Sequence, residues 1–448
     1  MRALACLAVL LVVVLLTGER TRTHPASRRR GPTARFGGPS TAVRLRARGE
    51  EHLALGRWAT THWAPTPLRL GARTPGSVLV VGPTQSGKTT SLCAPIVAGW
   101  AGPVLAASVK GDLAAMTSGH RATLGRVQVV APELAGTAVF DPVALAHSLP
   151  AARALARDLT VGTGAGSAAG DQAFWAALSA KLLAPLLYAA NRAGGSIETV
   201  SAWVDRRQLD DPLAFLEDDP VAADALLASF SRDDRTLGSV LATTEAAIES
   251  LRAGDPVDPS ALLSGSNTCY LSAPLHDQRR FRPMFAALVR QVLEAAAVRA
   301  GEGRPCRLLV LLDEAASIAP IDELDQVAAT CQGQGVTLVT VWQDLAQLVA
   351  RYGHKARTVV NNHTTRVLLG GLADPTLAEW LPTLTGPARA DARRATALAP
   401  EELRQWPRGA AVLIAGRSPP VRLRLFGARA GGRGVVPHRH RAHRRSAT

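Results

Sequence analysis

The stretch Gly82-Pro83-Thr84-Gln85-Ser86-Gly87-Lys88-Thr89 fits G-x-x-x-x-G-K-[ST], and 225 positions after Lys88 the apolar run Leu308-Leu309-Val310-Leu311-Leu312 ends in Asp313-Glu314. In the first pattern the glycines let successive backbone N–H groups curl around phosphates, and the following helix points its positive N-terminus at them. Lys88 then reaches the β- and γ-phosphates and Thr89 ligates Mg²⁺, while Gly82, Thr84, Gln85, Ser86, Gly87 and Thr90 complete the phosphate-facing set. The second pattern is a buried parallel strand with two acids at its end. Asp313 can hold Mg²⁺ through water and Glu314 can polarise an attacking water, a pairing suited to hydrolysis rather than transfer. The chemistry is therefore that of a nucleoside triphosphate such as ATP, with Mg²⁺. A glycine-rich turn with an unrelated lysine would not need a strand before it and a helix after it.

Both flanks are present. Ser77 to Val81 is a β-branched run, and Gly87 to Ala94 reads as a helix ended by Pro95. A strand near Leu68 to Leu70 precedes them, and Pro103 to Val109 and Val127 to Ala131 continue a β-α-β start. From about Leu149 to Leu263 the pattern is helical, clearest at Asp171 to Ala190, with Phe174, Leu178 and Leu182 on one stripe and Trp175, Leu183 and Leu187 beside it, a core pattern. The pairs Asp210-Asp211, Asp218-Asp219 and Asp233-Asp234 read as caps and solvated turns. Strands at Thr268 to Ala273, Arg307 to Leu312, Val336 to Trp342, Arg366 to Leu369, Ala411 to Ala415 and Val421 to Leu425 alternate with helices at Arg282 to Arg299, Ile321 to Cys331 and from Asp344. That alternation predicts an α/β fold with a doubly wound, mainly parallel sheet, interrupted by an inserted helical domain. The expected boundaries are a membrane anchor at 1–18, a basic juxtamembrane linker at 19–70, the nucleotide-binding domain at 71–148 and 266–427, an all-α domain at 149–265, and a basic disordered tail at 428–448.

The formal charge of +15 sits at the ends. Residues 1–48 hold ten Arg and one Glu, residues 427–448 hold six Arg and no acid, and the body between has 35 basic and 35 acidic residues. Only Lys88, Lys110, Lys181 and Lys355 are lysine, so Lys88 stands out from its background. The cysteines Cys6, Cys93, Cys269, Cys306 and Cys331 show neither C-x-x-C nor ligand spacing, and read as small buried residues in a reducing compartment. The His438-Arg439-His440-Arg441-Ala442-His443 stretch reads as part of a basic tail before it reads as a metal site. The uncharged run Ala3 to Thr17 is short for a span, and Arg20, Arg22 and Arg28 to Arg30 follow it directly. The positive-inside rule favours a single anchor with the rest of the chain in the cytoplasm over a cleaved signal. Trp58 and Trp63 belong either to that membrane surface or to the core.

Further segments carry a resemblance. Ser108-Val109-Lys110-Gly111-Asp112-Leu113, Phe140-Asp141-Pro142, Phe174-Trp175 with Leu182-Leu183, Ser229-Phe230 with Thr236 and Ser239-Val240, and Trp342-Gln343-Asp344-Leu345-Ala346-Gln347-Leu348 lie between Gly71 and Phe426. Over that span the chain resembles the type IV secretion coupling proteins of the TraG/TraD kind, membrane-anchored ATPases related to RecA and to FtsK-type DNA pumps. The resemblance implies a RecA-like P-loop NTPase with an all-α insertion and an N-terminal anchor in the bacterial inner membrane. It implies that Gln343 joins Lys88 and Glu314 as a catalytic residue by sensing the γ-phosphate, since a carboxamide can donate to phosphate and accept from water. It implies a homo-hexameric ring that takes a DNA–relaxase substrate to a secretion channel, gripping DNA without reading bases. A neighbouring subunit would supply an arginine, yet the expected loop reads Cys331-Gln332-Gly333-Gln334-Gly335, which leaves Arg351, Arg357 and Arg366 as alternatives. The family has two spans around a small periplasmic domain where this chain has one apolar run.

Competing classes are an FtsK-type double-strand translocase, a kinase or GTPase, and a non-hydrolysing membrane scaffold. No lysine follows an Asn, so N-K-x-D guanine recognition is absent. Asp313-Glu314 disfavours a kinase, and the complete set Lys88, Thr89, Asp313, Glu314 and Gln343 disfavours a scaffold.

Overall fold

The computed structural model describes residues 36–109, 111–160, 169–274, 277–318, 321–386 and 398–427. The apolar run, the arginines up to Arg35, Cys6, Lys110 and the basic tail with its histidines lie outside the described residues. Short, mostly apolar runs bounded by turns form strands buried on both faces. These are β3 (Gly76–Val81), β4 (Val104–Ser108), β7 (Leu308–Asp313) and β8 (Val336–Trp342). With β1 (His52–Ala59), β2 (Pro65–Arg73), β5 (Val127–Val130), β6 (Thr268–Ser272), β9 (Thr365–Leu369), β10 (Ala410–Ala415) and β11 (Val421–Arg424) they make one eleven-stranded sheet. Its order is β2-β1-β11-β10-β9-β3-β8-β7-β4-β6-β5.

From β9 to β5 every pairing is parallel, and from β2 to β9 every pairing is antiparallel. The mainly parallel α/β sheet is thus as expected, with an antiparallel flank that was not. Residues 52–70, read as linker with a strand only near Leu68 to Leu70, supply β1 and most of β2 of that flank. Trp58 and Trp63 pack on the core, Trp63 edge-on to Trp406 at 4.4 Å.

Alternate residues of each inner strand feed two apolar layers. Leu79, Leu105, Leu308 and Leu338 face one side, whereas Val78, Val80, Leu309 and Val339 face the other. The second layer packs on the helix after the phosphate loop through Leu92, Ile96 and Val97. That helix does not end at Pro95: it continues as Ala94–Gly99 after a π-helical stretch, Thr89–Cys93. The wider π turn moves the carbonyl that a proline ring would otherwise strike, so the helix accommodates Pro95.

Between β5 and β6 the chain is helical, with Leu149–Thr160, Ala169–Arg192, Ile197–Asp205, Pro220–Phe230 and Asp234–Ile248 as its main helices. Asp219 and Asp233 cap two of them by accepting from Ala222 N and Thr236 N, and Asp218 pairs with Arg192. Among the described residues one segment, Ala173–Arg192, is long and apolar enough to cross a membrane. Leu182, Leu183 and Leu187 in it are fully buried against this helical unit. Phe174 departs from the expected stripe: it is 55% exposed, because the helix starts before its core contacts do.

Candidate functional site

Parallel register brings the separated motifs to one edge. Val81 lies opposite Trp342 and Asp313 opposite Val341, so the chain leaves β3, β8 and β7 at neighbouring points. Gly82 N donates to Trp342 O at 3.0 Å, and Gln343 and Glu314 are the first residues past their strands. A Cβ on Gly82 would lie 2.9 Å from Leu369 Cβ, and Gly87 takes φ +93°, so both glycines are required by the backbone path.

Lys88 is 7% exposed, and its Nζ donates to Gly82 O at 2.5 Å and Pro83 O at 2.7 Å. Burial lowers its pKa from the ordinary lysine value, opposed by the charges of Asp313 and Glu314. Thr89 Oγ1 donates to Asp313 Oδ2 at 2.6 Å, joining residues 224 positions apart with one hydrogen bond. Asp313 is 3% exposed, and its carboxyl is pushed up to about 6, first by burial and then by the like charge of Glu314, against the Thr89 bond. Asp313 Oδ1 is buried with no hydrogen-bond partner. A buried orphan oxygen beside a threonine hydroxyl fits a hard cation that takes one or two protein oxygens and fills its shell elsewhere, as Mg²⁺ does.

Glu314 is half-buried with φ +64°, a left-handed conformation uncommon for a long side chain. Such outliers concentrate at functional sites. Gln85 shares it at φ +60°, exposed at the loop crest with Thr84, while Thr90 is exposed on the first turn of the helix that follows. Ser86 is buried and donates to Pro83 O at 2.7 Å.

Gln343 is held by its neighbours. Its N donates to Gln347 Oε1 at 3.1 Å, while Asp344 caps the next helix, Leu345–Tyr352, by accepting from Gln347 N at 2.7 Å. Asp374 Oδ2 accepts from Leu345 N and Ala346 N at 2.7 and 3.1 Å, so two carboxylates anchor one helix N-terminus. Sequence reasoning did not find the positioning roles of Asp374 and Gln347. It also did not single out Asp112, whose charge reaches Asp313 from the start of the helix after β4, where Ser108 Oγ donates to its Oδ1 at 3.3 Å.

Behind Gln343 runs a buried polar chain. Trp342 Nε1 donates to Thr340 Oγ1 at 3.1 Å, and Thr340 Oγ1 lies 3.1 Å from His363 Nε2. His363 Nδ1 is 2.6 Å from Val359 O, which can only accept, so Nδ1 carries the proton and Nε2 accepts from Thr340. His363 is fully buried, and burial lowers its pKa to about 4. This base is neutral in the fold but titrates near 6.5 when unfolded, so its contribution is complete above about pH 6.5 and is lost as pH falls toward 4. Asp158 and Asp313, both pushed up to about 6, act in the opposite direction. Comparison with a His363→Gln variant isolates the imidazole. In equilibrium denaturation the stability gap between the two proteins should shrink by about 2 kcal/mol from pH 7 to pH 5. A gap that does not move would exclude a neutral buried imidazole.

The three candidate arginines are all engaged within the chain. Arg351 pairs with Asp322, Arg357 pairs with Glu379 and lies over Trp380, and Arg366 donates to Val360 O and Asn361 O at 2.8 and 2.9 Å.

A family model described as Type IV secretory system Conjugative DNA transfer matches residues 63–402. A conjugal transfer protein TraG of Escherichia coli is 26% identical over 361 residues, 70% of this chain and 55% of that protein. The chain thus spans about half the length of the curated relatives it matches. Among solved structures, plasmid coupling protein TrwB in complex with the non-hydrolysable ATP analogue ADPNP aligns with a TM-score of 0.66 at 19% identity, over 92% of this chain and 98% of that one. The same protein in complex with ADP and Mg²⁺ aligns with a TM-score of 0.65 at 19% identity, over 93% and 98%. At that identity the likeness is one of fold.

Proposed function

The chain belongs to the Type IV secretory system Conjugative DNA transfer family, and from that premise we propose that it is an ATP-hydrolysing coupling protein that recruits a DNA–relaxase substrate and pumps it into a secretion channel. The observation that carries the reading is the hydrogen bond from Thr89 to Asp313, which joins the phosphate loop to the acid-ended strand with Gln343 on the strand between them. Bound Mg²⁺–ATP supplies the phosphoanhydride bond whose hydrolysis drives movement. Thr89 Oγ1 and Asp313 would hold the cation, Asp313 through water. Lys88 would exchange its two loop carbonyls for phosphate oxygens, and backbone N–H groups from Thr84 to Thr90 would bind the rest. Glu314 would accept a proton from water, and Gln343, fixed by Gln347, would respond to the terminal phosphate.

The single-pass anchor at 1–18 in the bacterial cell membrane, a cytoplasmic catalytic domain, and a homo-hexamer with an arginine shared between neighbours belong to the same reading. An arginine serving a neighbour would have to leave its present partner, and Arg351 and Arg357, bound by ion pairs, are freer to do so than Arg366 on its two carbonyls.

The test is ATP turnover with and without single- or double-stranded DNA. Turnover that rises several-fold with DNA supports the motor. Absence of both nucleotide binding and turnover in the presence of DNA would overturn it in favour of a scaffold.

A further inference from the structure

One guanidinium joins three separate parts of the chain. Arg290 lies midway along the helix Gln278–Gly301, which follows β6, and its side chain is 23% exposed. It pairs with Asp158 at 3.1 Å, Glu323 at 2.7 Å and Asp322 at 3.9 Å. Asp158 belongs to the helical unit, near the C-terminal end of Leu149–Thr160. Asp322 and Glu323 form a turn in the segment that follows Glu314.

The placement of Asp158 is costly. Its side chain is 11% exposed, burial pushes its carboxyl up to about 6 against the charge of Arg290, and a helix C-terminus disfavours an acid. Apolar residues of similar volume in place of such a pair are often as stable or more so. Stability alone therefore does not call for the pair, whereas a link between the helical unit and the nucleotide-binding part does.

From Arg290 the contacts reach the site by two routes. Eight residues earlier on the same helix, Arg282 Nε donates to Ser317 O at 3.2 Å, and Ser317 N donates to Glu314 O at 2.8 Å. One helix thus holds the segment after Glu314 at both ends. The second route leads to Gln343. Asp322 pairs with Arg351, and Ile321 O accepts from Tyr352 Oη at 2.8 Å, both at the end of the helix Leu345–Tyr352. Tyr352 packs edge-on to Trp342 with ring centroids 6.0 Å apart, and Trp342 is fully buried immediately before Gln343. The helix after Gln343 is therefore fixed at its start by Asp344 and Asp374, and at its end by the segment that Arg290 holds.

We propose that Arg290 is a positioning residue through which the helical unit sets the placement of Gln343. The inference rests on the reading of Gln343 as the residue that responds to the terminal phosphate. A guanidinium suits the task, because its planar fork engages carboxylates on two sides at once, whereas an ammonium is a single point charge. A shift of Leu149–Thr160 would move Asp158, change how Arg290 holds residues 322–323, and reach Gln343 without touching the nucleotide.

Asp158→Asn keeps the side-chain shape and leaves Arg290 on Asp322 and Glu323, so it cuts only the link to the helical unit. ATP turnover in the presence of DNA should fall about three- to thirtyfold, with affinity for an ATP analogue unchanged. Arg290→Met should lower turnover at least as much, and its melting temperature should also fall, because Asp158 is left buried without its cation. The double variant Asp158→Asn/Arg290→Met separates position from stability. Its melting temperature should return toward that of the wild type while its turnover stays as low as that of Arg290→Met. A double variant that recovers both would show a merely structural ion pair and overturn the proposal, as would undiminished turnover in Asp158→Asn. Amide hydrogen exchange of residues 345–352 needs no hydrolysis, and it should quicken in Asp158→Asn although residue 158 lies in the helical unit. If Arg290→Met does not fold, Asp158→Asn and the exchange measurement decide. Wild type without turnover would remove the reading of the site, and unchanged exchange at 345–352 in Asp158→Asn would separately overturn the role of Arg290.

Discussion

Lys88→Ala is expected to lower ATP turnover by about a thousandfold or more, with a matching loss of nucleotide affinity. The side chain is almost wholly buried, and its amine is held at the loop mouth by Gly82 O and Pro83 O, within the field of Asp313 and Glu314. The charge of Glu314 already raises the proton affinity of Asp313, and a polyphosphate at this loop would bring more negative charge. Without an ammonium group there, the backbone N–H groups alone must offset it, and Asp313 is driven further toward its neutral form. The fold should survive, because Lys88 donates only to two carbonyls of its own loop and belongs to neither apolar layer. Phosphate release, equilibrium binding of an ATP analogue and a thermal melt would be measured together. Retention of more than about a tenth of the turnover in a folded protein would remove Lys88 from the site.

How much of this site could be read in the sequence follows from how local its determinants are. The phosphate loop is a contiguous backbone device, so glycines at Gly82 and Gly87 and one lysine in a lysine-poor chain reveal it. Asp313 was legible because an apolar strand ending in two acids gains meaning in a chain that also carries the phosphate loop. Gln343 came from family resemblance, and the register that sets it beside Gly82 gives it a physical basis.

The parts that were not legible depend on distant partners. β1 hides because bulges between Ala54 and Gly56 and between Arg57 and Ala59 break the alternation, and because the partner of Arg57 is Arg424 at the far end of the chain, whereas β2 was legible in part, at Leu68 to Leu70. Pro95 signals a helix end by local rules, yet the π turn before it removes the clash. Asp374 secures the Gln343 helix from 29 residues away, and no spacing rule links the two. The same reasoning covers the arginines, since what occupies a guanidinium is decided by tertiary neighbours such as Asp322 and Glu379.

Glu314→Gln separates binding from hydrolysis. The amide keeps the volume and reach of the carboxylate, so the left-handed backbone at φ +64° and the bonds from Ser317 N and Ile318 N to Glu314 O are retained. What disappears is the charge and the capacity to take a proton from water. Turnover should fall by about a hundred- to ten-thousandfold, the range for losing a general base. Affinity for Mg²⁺–ATP should hold or rise, because the like charge that pushes Asp313 toward protonation is gone. Substantial turnover in this variant would sink the assignment of the base. Glu314→Gly completes the comparison, since glycine adopts φ +64° without the Cβ penalty and should recover up to about 1 kcal/mol of stability. A Gly variant that is both more stable and inactive would mean that the strained backbone at this position is kept for the carboxylate it presents. A Gly variant that gains no stability would show that the left-handed turn is supported by its surroundings, with Ser317 and Ile318 the first contacts to examine.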